Sequence, residues 1–237
     1  MEPHPPLVAQ PGSRRSPLVS TRSARALSSS LLGALLLMGA CEEVPRTYST
    51  RAKAGEVIFR DAFDRDELGS SWNPTGPGWS LESGVLVVRD LKNHPIWLTL
   101  PLPDDVRIEF DAWPQSEEGD VKVELAGDGA SKATSMNYVA SGYVVIFGGW
   151  NNSLNAIARQ SEHGRNRETT SEPKVEPDRR YRFSITRYGN EILWEVDGRE
   201  VLVYDDPHPL RGDGHRHFAF SGWEAEVHFD NLVIEAL

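Results

Sequence analysis

The chain has 237 residues, 39% hydrophobic and 25% charged, an ordinary globular composition. Its formal net charge of -10 sets it against nucleic acid or an anionic membrane surface as electrostatic partners, and suits neutral sugars or cations. Seven Trp supply large amphipathic faces, for a core or for a ligand.

Residues 1–40 stand apart. Arg14, Arg15, Arg22 and Arg25 precede the apolar run Leu31-Leu32-Gly33-Ala34-Leu35-Leu36-Leu37-Met38. A basic segment followed by a short apolar one is the pattern of a secretory signal, and the run is too short for a spanning helix. Met38-Gly39-Ala40-Cys41 resembles a bacterial lipobox, which implies cleavage before Cys41 and lipid on its sulfur. Cys41 is the sole cysteine, so it cannot form an internal disulfide. The alternative is an ordinary signal peptide with a stray thiol. Four of the 25 basic residues and one of the 35 acidic ones lie in residues 1–41, so the remainder carries 21 against 34, a formal charge of -13. Glu42 after the cysteine favours the outer membrane over inner-membrane retention, by analogy with other lipoproteins. Residues 41–55 read as a polar tether.

From Glu56 the pattern is period two. Strands are predicted at Val57–Phe63, Trp79–Glu82, Val85–Arg89, Ile96–Leu100, Val106–Trp113, Asp120–Leu125, Tyr143–Phe147 and Leu154–Gln160. Further strands are predicted at Tyr181–Arg187, Ile192–Val196, Glu200–Tyr204, His217–Phe220 and Ala225–Ile234. Ser83-Gly84 and Asp197-Gly198 read as two-residue hairpin turns. Residues 64–77 and 165–178 read as loops, the second charged and exposed. No helical pattern emerges, and no linker divides 56–237. The expectation is one all-β domain, a two-sheet antiparallel sandwich of the jelly-roll kind.

Phe63-Asp64, Trp72, Trp79 and Gly84-Val85-Leu86 resemble the opening of the concanavalin A-like lectin/glucanase superfamily. Tyr181 to Val203, with Arg187, Gly189, Asp197 and Gly198, resembles its central hairpin unit, and Phe229-Asp230-Asn231-Leu232 its closing strand. The order of parts is similar to the 3-keto-disaccharide hydrolase-like domains of bacterial envelope proteins. The resemblance implies a jelly roll with a concave face that often holds sugar. It does not choose among lectin, hydrolase and adhesion module.

Candidate chemistry centres on 142–164. Trp150 with Asn151 and Asn152 could stack on a pyranose and bond vicinal hydroxyls, or simply cap the core and serve a turn. Asp120, Lys122 and Glu124 share one strand face. They read as a solvated face with a cross-strand ion pair, or, with Glu162, as a source of two glycosidase carboxylates. Arg159, Glu162 and His163 could serve acid–base work or be a loop pair. These residues are expected to line one groove. Arg107, Glu109, Asp111 and Trp113 read as a solvent-facing strand that could join it. His208, His215 and His217 could suit a metal, and Asp205, Asp206 and Asp213 calcium, but no cofactor is required. The functional expectation is a lipid-anchored envelope protein that binds carbohydrate without catalysis. The alternative is glycoside cleavage by two groove carboxylates. No oligomeric state is legible.

Overall fold

The computed structural model describes residues 55–237. The leader, Cys41 and most of the tether lie outside the described residues. The strands in chain order are β1 (Glu56–Asp61), β2 (Trp72–Pro74), β3 (Trp79–Glu82), β4 (Val85–Val88) and β5 (Ile96–Leu98). Next come β6 (Val106–Pro114), β7 (Val121–Gly127), β8 (Tyr143–Gly148), β9 (Leu154–Arg159) and β10 (Arg167–Thr170). The last are β11 (Tyr181–Tyr188), β12 (Glu191–Val196), β13 (Arg199–Asp205), β14 (His217–Ser221) and β15 (Val227–Ala236).

They form two antiparallel sheets. One runs β13-β12-β11-β6-β15-β4-β3, with β1 also paired to β15; the other runs β10-β9-β8-β7-β14-β5-β2. Both two-residue hairpins hold positive φ at both positions, Ser83 at 53° and Gly84 at 78°, Asp197 at 51° and Gly198 at 72°. That twist matches the flanking strands.

Alternation decides which side chains enter the space between the sheets. From β7 and β8 these are Val121, Val123, Leu125, Tyr143, Val145 and Phe147, and from β6 they include Ile108 and Phe110. Aromatic pairs join the sheets: Phe220 of β14 lies 4.3 Å from Phe229 of β15, and Phe147 of β8 lies 5.8 Å from Trp194 of β12. Each such pair adds about 0.5–1.5 kcal/mol beyond area burial.

Two strands escape the period-two reading. Trp72–Pro74 and Arg167–Thr170 are short edge strands inside segments that read as loops. Both are set by a partner, β5 and β9 respectively, rather than by their own pattern.

The charges of β6 belong to the eight-stranded sheet and turn away from its core. Arg107 pairs with Glu235 at 3.1 Å, Glu109 with Arg182 at 3.2 Å, and Asp111 with Arg180 at 2.9 Å. The Arg180 guanidinium lies 4.5 Å from the Trp113 ring centre. These residues therefore do not join the groove of Asp120 and Lys122, which sits on the other sheet.

Candidate functional site

The outer face of the seven-stranded sheet carries the site. Lys122 and Glu124 of β7 stand opposite Ile146 and Val144 of β8 in register, so all four share that face. A strap, residues 128–141, crosses it. Trp97 Nε1 donates to the Ser131 carbonyl, Ala133 N to the Asn93 carbonyl, and Ala140 N to the Gln160 carbonyl. Ala140, Val144, Ile146 and Ala156 form a small second core beneath it, flanked by Tyr138 and Trp150.

Beside the strap a cavity of about 470 Å³ remains open. Lys122 and Ile146 lie at it, with Asp120 and Glu118 from the β6–β7 loop and Met136 from the strap. Gly149, Trp150 and Asn151 come from the β8–β9 turn, and Glu162 and His163 from the loop after β9. Asn93, Trp223 and Glu224 come from loops that are themselves bridged at Lys92 and Trp223.

The β8–β9 turn is conformationally costly. Trp150, Asn151 and Asn152 follow one another at φ of 53°, 55° and 57°. A left-handed conformation costs roughly 1–2 kcal/mol per non-glycine residue, least for Asn. A bulky residue held so is an outlier that the surroundings must enforce. They do. The Asn152 amide donates to the Val175 carbonyl at 2.8 Å and its carbonyl accepts from Val175 N at 2.9 Å. Lys174 Nζ donates to the carbonyls of Asn152 and Ser153. Gly148 N donates to Asn155 Oδ1, and Asp120 N to the Gly148 carbonyl. Gly119 permits that last approach: a Cβ there would lie 2.6 Å from the Gly148 carbonyl oxygen. The turn projects Trp150 toward the cavity. Its ring meets His163 edge-on at 5.8 Å, and the Arg167 guanidinium lies 5.2 Å from its centre.

The polar floor is a buried charge cluster, not a solvated face. The Lys122 side chain is only 3% exposed. Its ammonium donates to Asn93 Oδ1 at 3.0 Å and meets Glu162 Oε2 at 3.1 Å and Asp120 Oδ1 at 3.5 Å. Burial alone would lower the Lys122 pKa, but the carboxylates of Asp120 and Glu162 outweigh it and hold the group above its ordinary value. Burial pushes the Asp120 carboxyl up, with Glu162 adding to the effect and Lys122 opposing it. Asp120 Oδ1 is buried and accepts no hydrogen bond of ordinary geometry.

Glu124 lies off the cavity, fully buried under the strap, where the Tyr138 hydroxyl donates to both its oxygens at 3.1 and 3.2 Å. Burial pushes its carboxyl up to about 8, against Tyr138 and Lys122. The folded chain therefore keeps a proton there that the unfolded chain, at 4.5, gives up. The stability linked to that proton is fully present below the unfolded pKa and is lost as pH rises through the folded one. Melting temperature is expected to fall between about pH 5 and about pH 9, and Glu124→Gln to flatten that slope. Parallel profiles for the two proteins would refute this.

Not every expected site residue reaches the cavity. Asn152 is consumed by Val175 and does not line it. Arg159 pairs in register with Tyr143, whose side chain points into the inter-sheet core, so it faces away from Ile146. It bonds Asp206 at 3.0 Å instead, and Asp206 also accepts from the Tyr143 hydroxyl at 2.7 Å. His215 and His217 meet the carbonyls of Ala126 and Leu98. Among the described residues no three His, Cys, Asp or Glu side chains group as a metal site, whether from His208 or from Asp205, Asp206 and Asp213. Sequence reasoning missed Asn93, Glu118, Met136, Trp223 and Glu224. One signal was present: Gly222-Trp223-Glu224 repeats the Gly-Trp-polar pattern of Gly149-Trp150-Asn151.

Solved structures share this architecture. The exoplasmic/lumenal domain of VIP36, in its Ca2+/Man3GlcNAc-bound form, superposes at a TM-score of 0.61 with 11% identity, over 77% of this chain and 90% of that one. Bacillus licheniformis β-glucanase gives 0.52 at 12% identity, over 78% and 100%. The fold is a concanavalin A-like jelly roll. The Bacillus subtilis carbohydrate-binding module CBM66 gives 0.54 at 15% identity, over 70% and 96%. In sequence, an extracellular exo-alpha-L-arabinofuranosidase of Streptomyces chartreusis is 25% identical over 161 residues, 67% of this chain. The match spans 18% of that enzyme's length. No family model matches the chain.

Proposed function

We propose that this jelly roll binds carbohydrate in the cavity without cleaving it, on a protein anchored to a bacterial envelope by lipid at Cys41. The observation that carries the binding reading is the convergence of Trp150 and Trp223, from two separate loops, on one cavity with a polar floor. Indole faces stack on the apolar faces of sugar rings, while carboxylates and amides take the hydroxyls. The likeness to a carbohydrate-binding module and to a domain solved with Man3GlcNAc bound supports the same reading.

The non-catalytic part rests on Lys122. Its ammonium engages both cavity carboxylates nearest the floor, Asp120 and Glu162, so neither is left as an unengaged nucleophile or acid. Cleavage is the second reading, along the lines of a 3-keto-disaccharide hydrolase-like domain. It is favoured by one fact: two carboxylate oxygens within 3.5 and 3.1 Å of a single nitrogen can approach the separation of about 5–5.5 Å used by retaining glycosidases. Affinity electrophoresis against a polysaccharide panel, with chromatography of the same incubations, separates the two. Retention without products supports binding alone. Products that vanish in Glu162→Gln overturn the non-catalytic part, and no retention by any polysaccharide overturns the binding part.

For the anchor, Cys41→Ala is expected to move the protein from the membrane to the soluble fraction and to abolish labelling by a palmitate analogue. An unlabelled wild-type protein would reject lipidation.

A further inference from the structure

The charges at the cavity do not balance. Asp120 and Glu162 share one permanent cation, Lys122, whose ammonium is already taken up by those two and by Asn93; the His163 imidazole lies 3.5 Å from Glu162. Glu118 is exposed at the wall, and among the described residues only the Ser116 hydroxyl, at 3.5 Å, is hydrogen-bonded to its carboxylate. Glu224 is offset by Lys92 at 2.8 Å. Asp120 Oδ1 sharpens the imbalance: among the described residues this buried acceptor receives no hydrogen bond of ordinary geometry, and the Lys122 ammonium reaches it only at 3.5 Å. Such groups are rare and costly unless something supplies the donor.

We propose that the cavity selects glycans bearing a free primary amine, of the 2-amino-2-deoxyhexose class, over neutral, N-acetylated and acidic ones. This rests on the carbohydrate reading above and names the sugar it takes. An ammonium brings both the missing positive charge and three donors. A hydroxyl brings a donor without the charge. An acetamide loses the charge and enlarges the group. A uronate carboxylate meets uncompensated negative charge.

Calorimetric titration with a glucosamine pentamer, its N-acetylated counterpart, a neutral glucose pentamer and a galacturonate oligomer tests this, at low salt and at about 0.5 M salt, where charge contributions are screened. The glucosamine pentamer is expected to bind at least about tenfold more tightly than the neutral one, with the advantage shrinking in salt. Asp120→Asn and Glu118→Gln should each reduce that advantage, and Trp150→Ala should weaken binding of every oligomer by about thirtyfold or more. Glu118 is exposed, so its variant keeps the test available if Asp120→Asn does not fold. Equal or tighter binding of a neutral or N-acetylated oligomer overturns the inference and leaves the carbohydrate reading standing. An amine preference unchanged in both acid variants also overturns it, because the attraction would then come from the whole acidic surface. If no oligomer binds, both fail.

Discussion

Replacing Lys122 with methionine is expected to destabilise the domain by about 3–5 kcal/mol, the range measured when one partner of a buried ion cluster is removed. The side chain is 3% exposed and its ammonium is the shared partner of Asp120 and Glu162. Methionine fills a similar volume, so the loss is electrostatic rather than a cavity effect. Without the ammonium, two carboxylates face one another at low dielectric, and Asn93 Oδ1 loses its donor. One of the acids must then take up a proton, so the deficit should grow with pH. For a domain stabilised by about 5–15 kcal/mol that loss is large. It corresponds to roughly 10 °C in melting temperature. Chemical denaturation of Lys122→Met and of the triple variant with Asp120→Asn and Glu162→Gln decides it. The triple variant should recover much of the loss, since removing all the charges removes the desolvation cost with them. A single variant within about 1 kcal/mol of wild type would show that the cluster is already neutralised by shared protons.

The cluster also shows where sequence reading stops. Period two placed Asp120, Lys122 and Glu124 on one face and the valines on the other; the structure keeps that division for Lys122 and Glu124, while Asp120 falls in the loop before β7 at a φ of 62°. Alternation says nothing about what covers a face. The strap of residues 128–141 is rich in small and polar side chains, yet it buries Glu124. A face that looks solvated in sequence becomes an interior through a tertiary contact that local pattern cannot carry. The same limit applies to Arg159. It sits three residues from Glu162 in sequence, but the strand alternation that fixes Tyr143 in the core sends it to the opposite side.

What was legible followed from backbone chemistry. Asp197-Gly198 and Ser83-Gly84 announce turns with positive φ at both positions, and both occur. Asn151 and Asn152 read as turn residues after β8, and the structure holds both at left-handed φ, a region Asn tolerates. They could not announce that Trp150 would be forced into it as well. That depends on Val175 and Lys174, some twenty residues on, which clamp the turn through Asn152 and Ser153. Trp223 was hidden for a related reason: its loop is bridged to Lys92, more than a hundred residues away in sequence. Two indoles at one cavity are a consequence of topology, with β14 and β8 both flanking β7.

Trp150→Ala and Trp223→Ala are each expected to weaken carbohydrate binding by about 2 kcal/mol or more, the scale of a buried aromatic anchor. That is roughly a thirtyfold rise in Kd. The two should differ in what they do to the free protein. Trp223 is half-buried in a loop, so its removal should leave the melting curve near wild type. Trp150 packs against the small core of Ala140, Val144, Ile146 and Ala156 and also holds a left-handed backbone, two effects of opposite sign. Comparing Trp150→Gly with Trp150→Ala separates them, because both lose the ring but only glycine relieves the backbone. The glycine variant is expected to be more stable than the alanine variant by about 1 kcal/mol, and equally weakened in binding. That outcome would mean the fold spends stability to hold an indole over the cavity, as expected of strain kept at a functional site. If instead alanine proves the more stable, the turn is unstrained as built and Trp150 is better read as a core cap. If both variants bind sugar as tightly as wild type, the aromatic wall is not the recognition surface.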